Sequence, residues 1–110
     1  MRGVACFLFL LLAGAGCAED AEPELPEHPS YAEHIAPLMS ERCVACHGSN
    51  VQGEARQGAP EDLNLDSYDD VKRHSAFANG RIQAGTMPPG GLSERERSLF
   101  ARWLEQGMAP

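Results

Sequence analysis

The sequence predicts an all-α domain, on three observations. Ser30, Ser67 and Ser93 each stand three residues ahead of an acidic residue, the pattern that starts a helix by satisfying its first free N–H groups. Apolar residues follow the first and last of these serines at helical spacing, and no segment alternates at period two as a half-buried strand would. With 110 residues, 11 Gly and 8 Pro, the chain has room for one domain at most, which excludes a large two-domain enzyme.

Residues 1–16 read as a signal peptide. Arg2 supplies the basic start, Val4–Leu12 (VACFLFLLL) is an unbroken apolar run, and Ala13–Gly16 are small. The run is well short of the ~20 apolar residues of a membrane span, so the mature protein is expected to be exported. Gly14-Ala15-Gly16-Cys17 resembles a bacterial lipoprotein signal, with lipid on Cys17. Ala13 and Ala15 also make a small-x-small site for ordinary cleavage after Ala15. Cys6 leaves with the signal, and the motif below uses the other two cysteines, so lipid would account for Cys17.

Losing residues 1–16 removes one basic residue, Arg2, and takes the net charge from −7 to −8. An acidic surface excludes a nucleic-acid partner, which needs clustered Lys and Arg, and opposes adsorption to anionic lipid. It fits a protein partner with a basic docking face, with membrane contact through a lipid anchor alone. Residues 17–29 form an acidic, Pro-rich tether. Ala18–Pro29 holds five acidic residues and three Pro against one Leu, too little apolar surface to fold, and would extend about 37 Å at ~3.1 Å per residue.

The folded domain spans residues 30–110. Ser30 and Glu33 form a capping box, and Tyr31, Ile35, Leu38 and Met39 share one face of a helix reaching about Arg42, bent at Pro37. Gly48–Asp62 is a loop rich in Gly and Gln. Ser67 with Asp70 starts a short helix carrying Val71, and a further turn or two runs from Ser75 to Ala84. Gly85–Gly91 (GTMPPGG) breaks helical structure. Ser93 with Glu96 caps the last helix, whose apolar face is Leu99, Phe100, Trp103 and Leu104, with Gly107 as its stop. One Trp, two Tyr and two Phe remain after processing, a thin core for which a covalent cofactor, metal or disulfide would serve as a staple.

Cys43-Val44-Ala45-Cys46-His47 reads C-x-x-C-H, the attachment signature of c-type haem. Two thiols about one turn apart can form thioethers with the two vinyl groups of one haem, and the adjacent histidine is then held under the iron. A thioredoxin-like C-x-x-C pair needs a βαβ setting, and no strands flank this motif. A structural zinc site needs four ligands, and His28, His34 and His74 have no ribbon or finger spacing. A Cys43–Cys46 disulfide would close a loop too short to constrain the unfolded chain.

The sequence resembles the small single-haem class I cytochromes c of bacteria, of the lipoprotein type or appended to larger oxidoreductases. Four segments carry the likeness: IAPLMSERCVACH (Ile35–His47), LNLDSYDDV (Leu63–Val71), IQAGTMPPGG (Ile82–Gly91) and LSERERSLFARWLEQG (Leu92–Gly107). The resemblance implies three to four short helices around one covalent haem c, with thioethers at Cys43 and Cys46, His47 as proximal ligand and Met87 as distal ligand. It implies a one-electron carrier between redox partners on the periplasmic side of a bacterial membrane, and not an enzyme. Met87 is braced by Gly85, Pro88, Pro89 and Gly90, which suits a weak thioether ligand; His74 and Met39 are its competitors. A haem enzyme or gas sensor with a labile distal ligand, and a haem-free thiol oxidoreductase, are the rival functions.

Pro60 resembles the family's proline whose carbonyl accepts the proximal imidazole N–H, and reads equally well as an ordinary loop proline. Arg56, Lys72, Arg73 and Arg81 could neutralise haem propionates or be solvated charges. Asp62, Asp66, Asp69 and Asp70 could form an acidic docking patch or serve as helix-start and solubility residues. Leu63, Leu65, Ile82, Leu99 and Trp103 read as wall and core. His28 and His34 read as surface, Met39 as core, and Met108 as part of a frayed end.

Overall fold

The computed structural model describes residues 22–110 together with Gly14 and Gly16. The rest of the expected signal peptide with Cys6, together with Cys17 and the start of the expected tether, lies outside the described residues. Four α-helices, α1 (Ala36–Arg42), α2 (Val44–His47), α3 (Tyr68–Gln83) and α4 (Glu94–Glu105), are joined by loops, and the described residues contain no strand. Among those residues no helix is long and apolar enough to cross a membrane. The fold is all-α, as the capping signals and helical spacing predict.

The entry to α1 departs from a simple capping box. The Ser30 hydroxyl accepts from the Glu33 N–H as expected, but the Ser30 N–H donates to Nδ1 of His34 at 3.0 Å, so His34 and not Glu33 closes the box. Tyr31–Ile35 winds as a π-turn, with Ile35 N–H on the Ser30 carbonyl and Ala36 N–H on that of Tyr31. Pro37 follows directly and has no N–H to continue the ladder, so the expected bend takes the form of a widened turn in front of it. α3 is one helix of 16 residues and not two short pieces. Lys72–Gly80 lacks an apolar stripe, yet the buried Ser75 satisfies its own hydroxyl on the Lys72 carbonyl at 2.8 Å, leaving the ladder intact. At α4 both halves of the Ser93–Glu96 capping box are formed.

Ile35, Leu38 and Met39 from the first helix, Leu65, Val71 and Ile82 from the middle, and Leu92, Leu99, Phe100 and Trp103 from the end make one buried core. Tyr31 links Tyr68 and Trp103 at ring-centroid distances of 5.4 and 6.3 Å, so the start of the domain packs on its end. The C-terminus is not frayed. The Ala109 carbonyl accepts from the Tyr31 N–H and from Trp103 Nε1, both at 2.9 Å, and the Met108 carbonyl accepts from the Tyr68 hydroxyl at 2.8 Å.

The Pro-rich segment before Ser30 is laid along α4. Arg95 donates to the Pro23 carbonyl, Arg102 to those of Leu25 and Pro26, and Gln106 to that of Glu27. Pro29 is fully buried and Leu25 packs against the core. An extended chain leaves its carbonyls unpaired, and long donor side chains at one helical face can take them.

Candidate functional site

Cys43 sits at the break between α1 and α2, and the single turn of α2 returns the chain to it. Both the Cys46 and His47 N–H groups donate to the Cys43 carbonyl, at 3.2 and 2.9 Å. This turn sets Cys43, Cys46 and His47 along one wall of a cavity of about 380 Å³. The extended segment Leu63–Leu65 crosses behind His47 and holds it twice. Leu65 N–H donates to the His47 carbonyl at 2.7 Å, and Nδ1 of His47 lies 2.9 Å from the Leu63 carbonyl. A carbonyl only accepts, so Nδ1 carries the proton and Nε2 keeps its lone pair for a metal.

α3 and the following loop also line the cavity, through Phe77, Ala78, Arg81, Ile82, Met87, Pro88 and Pro89. Among the described residues Phe77 and Met87 are the exposed large hydrophobics, at 56% and 45%. The Thr86 and Met87 N–H groups both lean on the Arg81 carbonyl, and Gly85, Gly90 and Gly91 take positive φ to turn the loop around Met87. Met39 is buried and contributes to the cavity wall, whereas His74 is half-buried on α3 and does not line it.

Burial, with the Glu96 carboxylate adding, pushes the Cys43 thiol up to about 11. A reactive C-x-x-C cysteine needs the opposite shift, toward thiolate. The two sulfurs are not bonded to each other. An apolar cavity lined by paired thiols, an imidazole held in the Nδ1–H tautomer and a thioether fits an iron macrocycle attached through its vinyl groups.

Compared with known proteins, the chain is 33% identical to cytochrome c-551 of Bacillus subtilis over 103 residues, which cover 90% of this chain and 87% of that one. The chain belongs to the cytochrome c family. It is a small class I cytochrome c, an electron-transfer protein of the c type, and haem c is the cofactor that membership implies. The cytochrome is also 38% identical over 68 residues to the FixP subunit of a cbb3-type cytochrome c oxidase from Bradyrhizobium sp., a match that covers 58% of this chain and 23% of that subunit. No protein-family model matches the cytochrome, and no solved structure does.

Several sequence expectations change here. The carbonyl that meets His47 belongs to Leu63 and not to Pro60, whose carbonyl instead accepts from Arg56. Arg56 is 4% exposed and its donors are spent on loop carbonyls and Asn64, so it is not available to a propionate. Lys72 lies over the Tyr68 ring and Arg73 pairs with Asp70, both on the exposed face of α3. Arg81 lies over Phe77 at the cavity, and Arg42, also at the cavity, pairs with Glu96. Of the acidic residues, Asp66 binds the N–H and hydroxyl of Ser49, and Asp70 binds Ser67, so both fasten local turns. The roles of Leu63 and Arg56 carry no signal in the sequence, because backbone acceptors can stand beside any residue type.

Proposed function

We propose that this cytochrome is an exported carrier of single electrons whose haem is held by Cys43 and Cys46 and ligated by His47 and Met87. The observation that carries the reading is the meeting of these four side chains on one apolar cavity, in a chain of the cytochrome c family. Haem c, when bound, supplies an iron that cycles between ferric and ferrous states. The chain's own residues do the rest. Cys43 and Cys46 would fix the macrocycle covalently, and the Leu63 carbonyl would hold His47 in one tautomer and one orientation. Met87, on its Gly- and Pro-braced loop, would supply a thioether ligand to the iron, and a metal so ligated would be closed to substrate and serve as a carrier and not as an enzyme. Phe77, Ile82 and Leu65 would exclude water.

The test is denaturing mass spectrometry of protein matured in a host that assembles c-type cytochromes, followed by a reduced spectrum with and without carbon monoxide. A haem-sized increment that survives denaturation, with no carbon monoxide binding, supports the carrier. Absence of the increment refutes it, and avid carbon monoxide binding selects a haem enzyme or gas sensor instead.

Residues 1–16 would be the export signal, with Cys17 lipidated and the protein tethered on the periplasmic side of its membrane. The contacts of residues 23–27 along α4 fasten that part of the expected tether to the domain. Redox partner proteins follow from the carrier role, and the oxidase subunit among its relatives supports them. A partner with a basic docking face suits the acidic balance of the chain.

A further inference from the structure

Arg56 is the buried charged side chain among the described residues. Nε donates to the Ala59 carbonyl at 3.2 Å. Nη1 donates to the carbonyls of Gly48 and Val51 and to Oδ1 of Asn64, at 2.9, 3.0 and 3.2 Å. Nη2 donates to the carbonyls of Pro60 and Leu63, at 2.5 and 3.3 Å. Every acceptor is a neutral carbonyl or amide oxygen, and Arg56 has no ion pair among the described residues. Its charge is therefore solvated by oriented dipoles and by no direct ion pair, with the Asp66 carboxylate acting on it only through space. The Leu63 oxygen is also the one that accepts from His47 Nδ1–H at 2.9 Å.

We propose that Arg56 is a positioning residue that tunes His47: by sharing the Leu63 carbonyl it weakens the pull on the Nδ1–H proton and raises the reduction potential. The inference rests on the reading of His47 as an axial ligand. A carbonyl that serves two donors, one of them a cation, has less electron density to offer either. His47 then stays closer to a neutral imidazole and donates less strongly to the metal, which favours the reduced state. The buried positive charge on this side of the cavity, held in no direct ion pair, acts in the same direction, because it disfavours the more positive oxidised state.

The experiment compares wild-type, Arg56→Met and Arg56→Lys holoprotein by redox titration and by NMR of the His47 Nδ1–H in the ferrous state. In Arg56→Met the ferric-to-ferrous ratio at fixed ambient potential should rise roughly tenfold, about 59 mV for one electron. The Nδ1–H resonance should move downfield and exchange no faster, because His47 gains sole use of the Leu63 carbonyl. Arg56→Lys keeps the charge and should recover part of the potential. An unchanged potential overturns the proposal. A lowered potential with an upfield, faster-exchanging Nδ1–H also overturns it, since that is the signature of a loosened loop. The wild type supplies a check that needs no substitution: the Arg56 guanidinium protons should exchange slowly, and exchange at the solvent rate is fatal to the idea. Loss of His47 ligation in the wild type would instead defeat the parent reading and this one with it. Intact ligation that is indifferent to Arg56 defeats this one alone.

Discussion

Replacing Trp103 by Phe is expected to destabilise the cytochrome by about 2–3 kcal/mol without moving its reduction potential. Trp103 is fully buried, with Phe100 5.7 Å and Tyr31 6.3 Å away between ring centroids, and its indole N–H donates to the Ala109 carbonyl at 2.9 Å. Phenylalanine removes part of the ring, at about 1–2 kcal/mol for lost burial and the gap left behind. The lost hydrogen bond adds about 1 kcal/mol. The cost goes no higher, because the Ala109 carbonyl keeps the Tyr31 N–H and is not stranded. In a domain of this size, such a loss lowers the melting temperature by roughly 10–20 °C, readable by circular dichroism of the holoprotein. Trp103 does not line the cavity, so the potential should stay at the wild-type value. A loss under about 1 kcal/mol would refute the account of the aromatic knot. A shifted potential would refute the assignment of Trp103 to packing alone.

Gly48→Ala should lower stability by about 1–3 kcal/mol in thermal unfolding, through overpacking. The backbone there suits any residue, but a Cβ would stand 2.8 Å from the Val44 carbonyl oxygen and 3.1 Å from the Val51 side chain. Met87→Ala should abolish the near-infrared sulfur-to-iron band of the ferric protein and admit carbon monoxide, whereas His74→Ala should change neither; the reverse pattern would exchange the two assignments. Hydrogen bonds from the Ser49 hydroxyl and N–H hold the Asp66 carboxyl below its ordinary value. That contribution to stability is full above the unfolded-state value and is lost as pH falls through the lowered folded-state value, so Asp66→Asn should flatten the acid limb of a stability-against-pH curve. Wild-type protein should enter the detergent phase on phase partitioning and Cys17→Ala should not; two aqueous proteins would point to cleavage after Ala15.

The helix starts at Ser30, Ser67 and Ser93 were legible because an N-cap and its acidic partner act within one turn, on groups adjacent in sequence. The Cys43, Cys46 and His47 set was legible for the same reason, since one turn of helix aligns those positions. Two readings failed where the deciding contact is distant. The tail after Gly107 looks free, yet Tyr31 and Tyr68, far earlier in the chain, take up its carbonyls. The segment before Ser30 looks unstructured by composition, yet Arg95, Arg102 and Gln106 of α4 bind its backbone.

The sequence by itself determined the helical class, the C-x-x-C-H turn, the Gly- and Pro-braced loop that presents Met87, and through these the family. Each follows from short-range rules of spacing and backbone freedom. Only the tertiary structure decided which carbonyl holds His47, where the charge of Arg56 is buried, and which cations stay at the cavity. Those choices depend on backbone oxygens brought together by folding. Every residue carries a carbonyl, so the identity of the amino acids gives no clue to which one will be used until the chain has closed on itself.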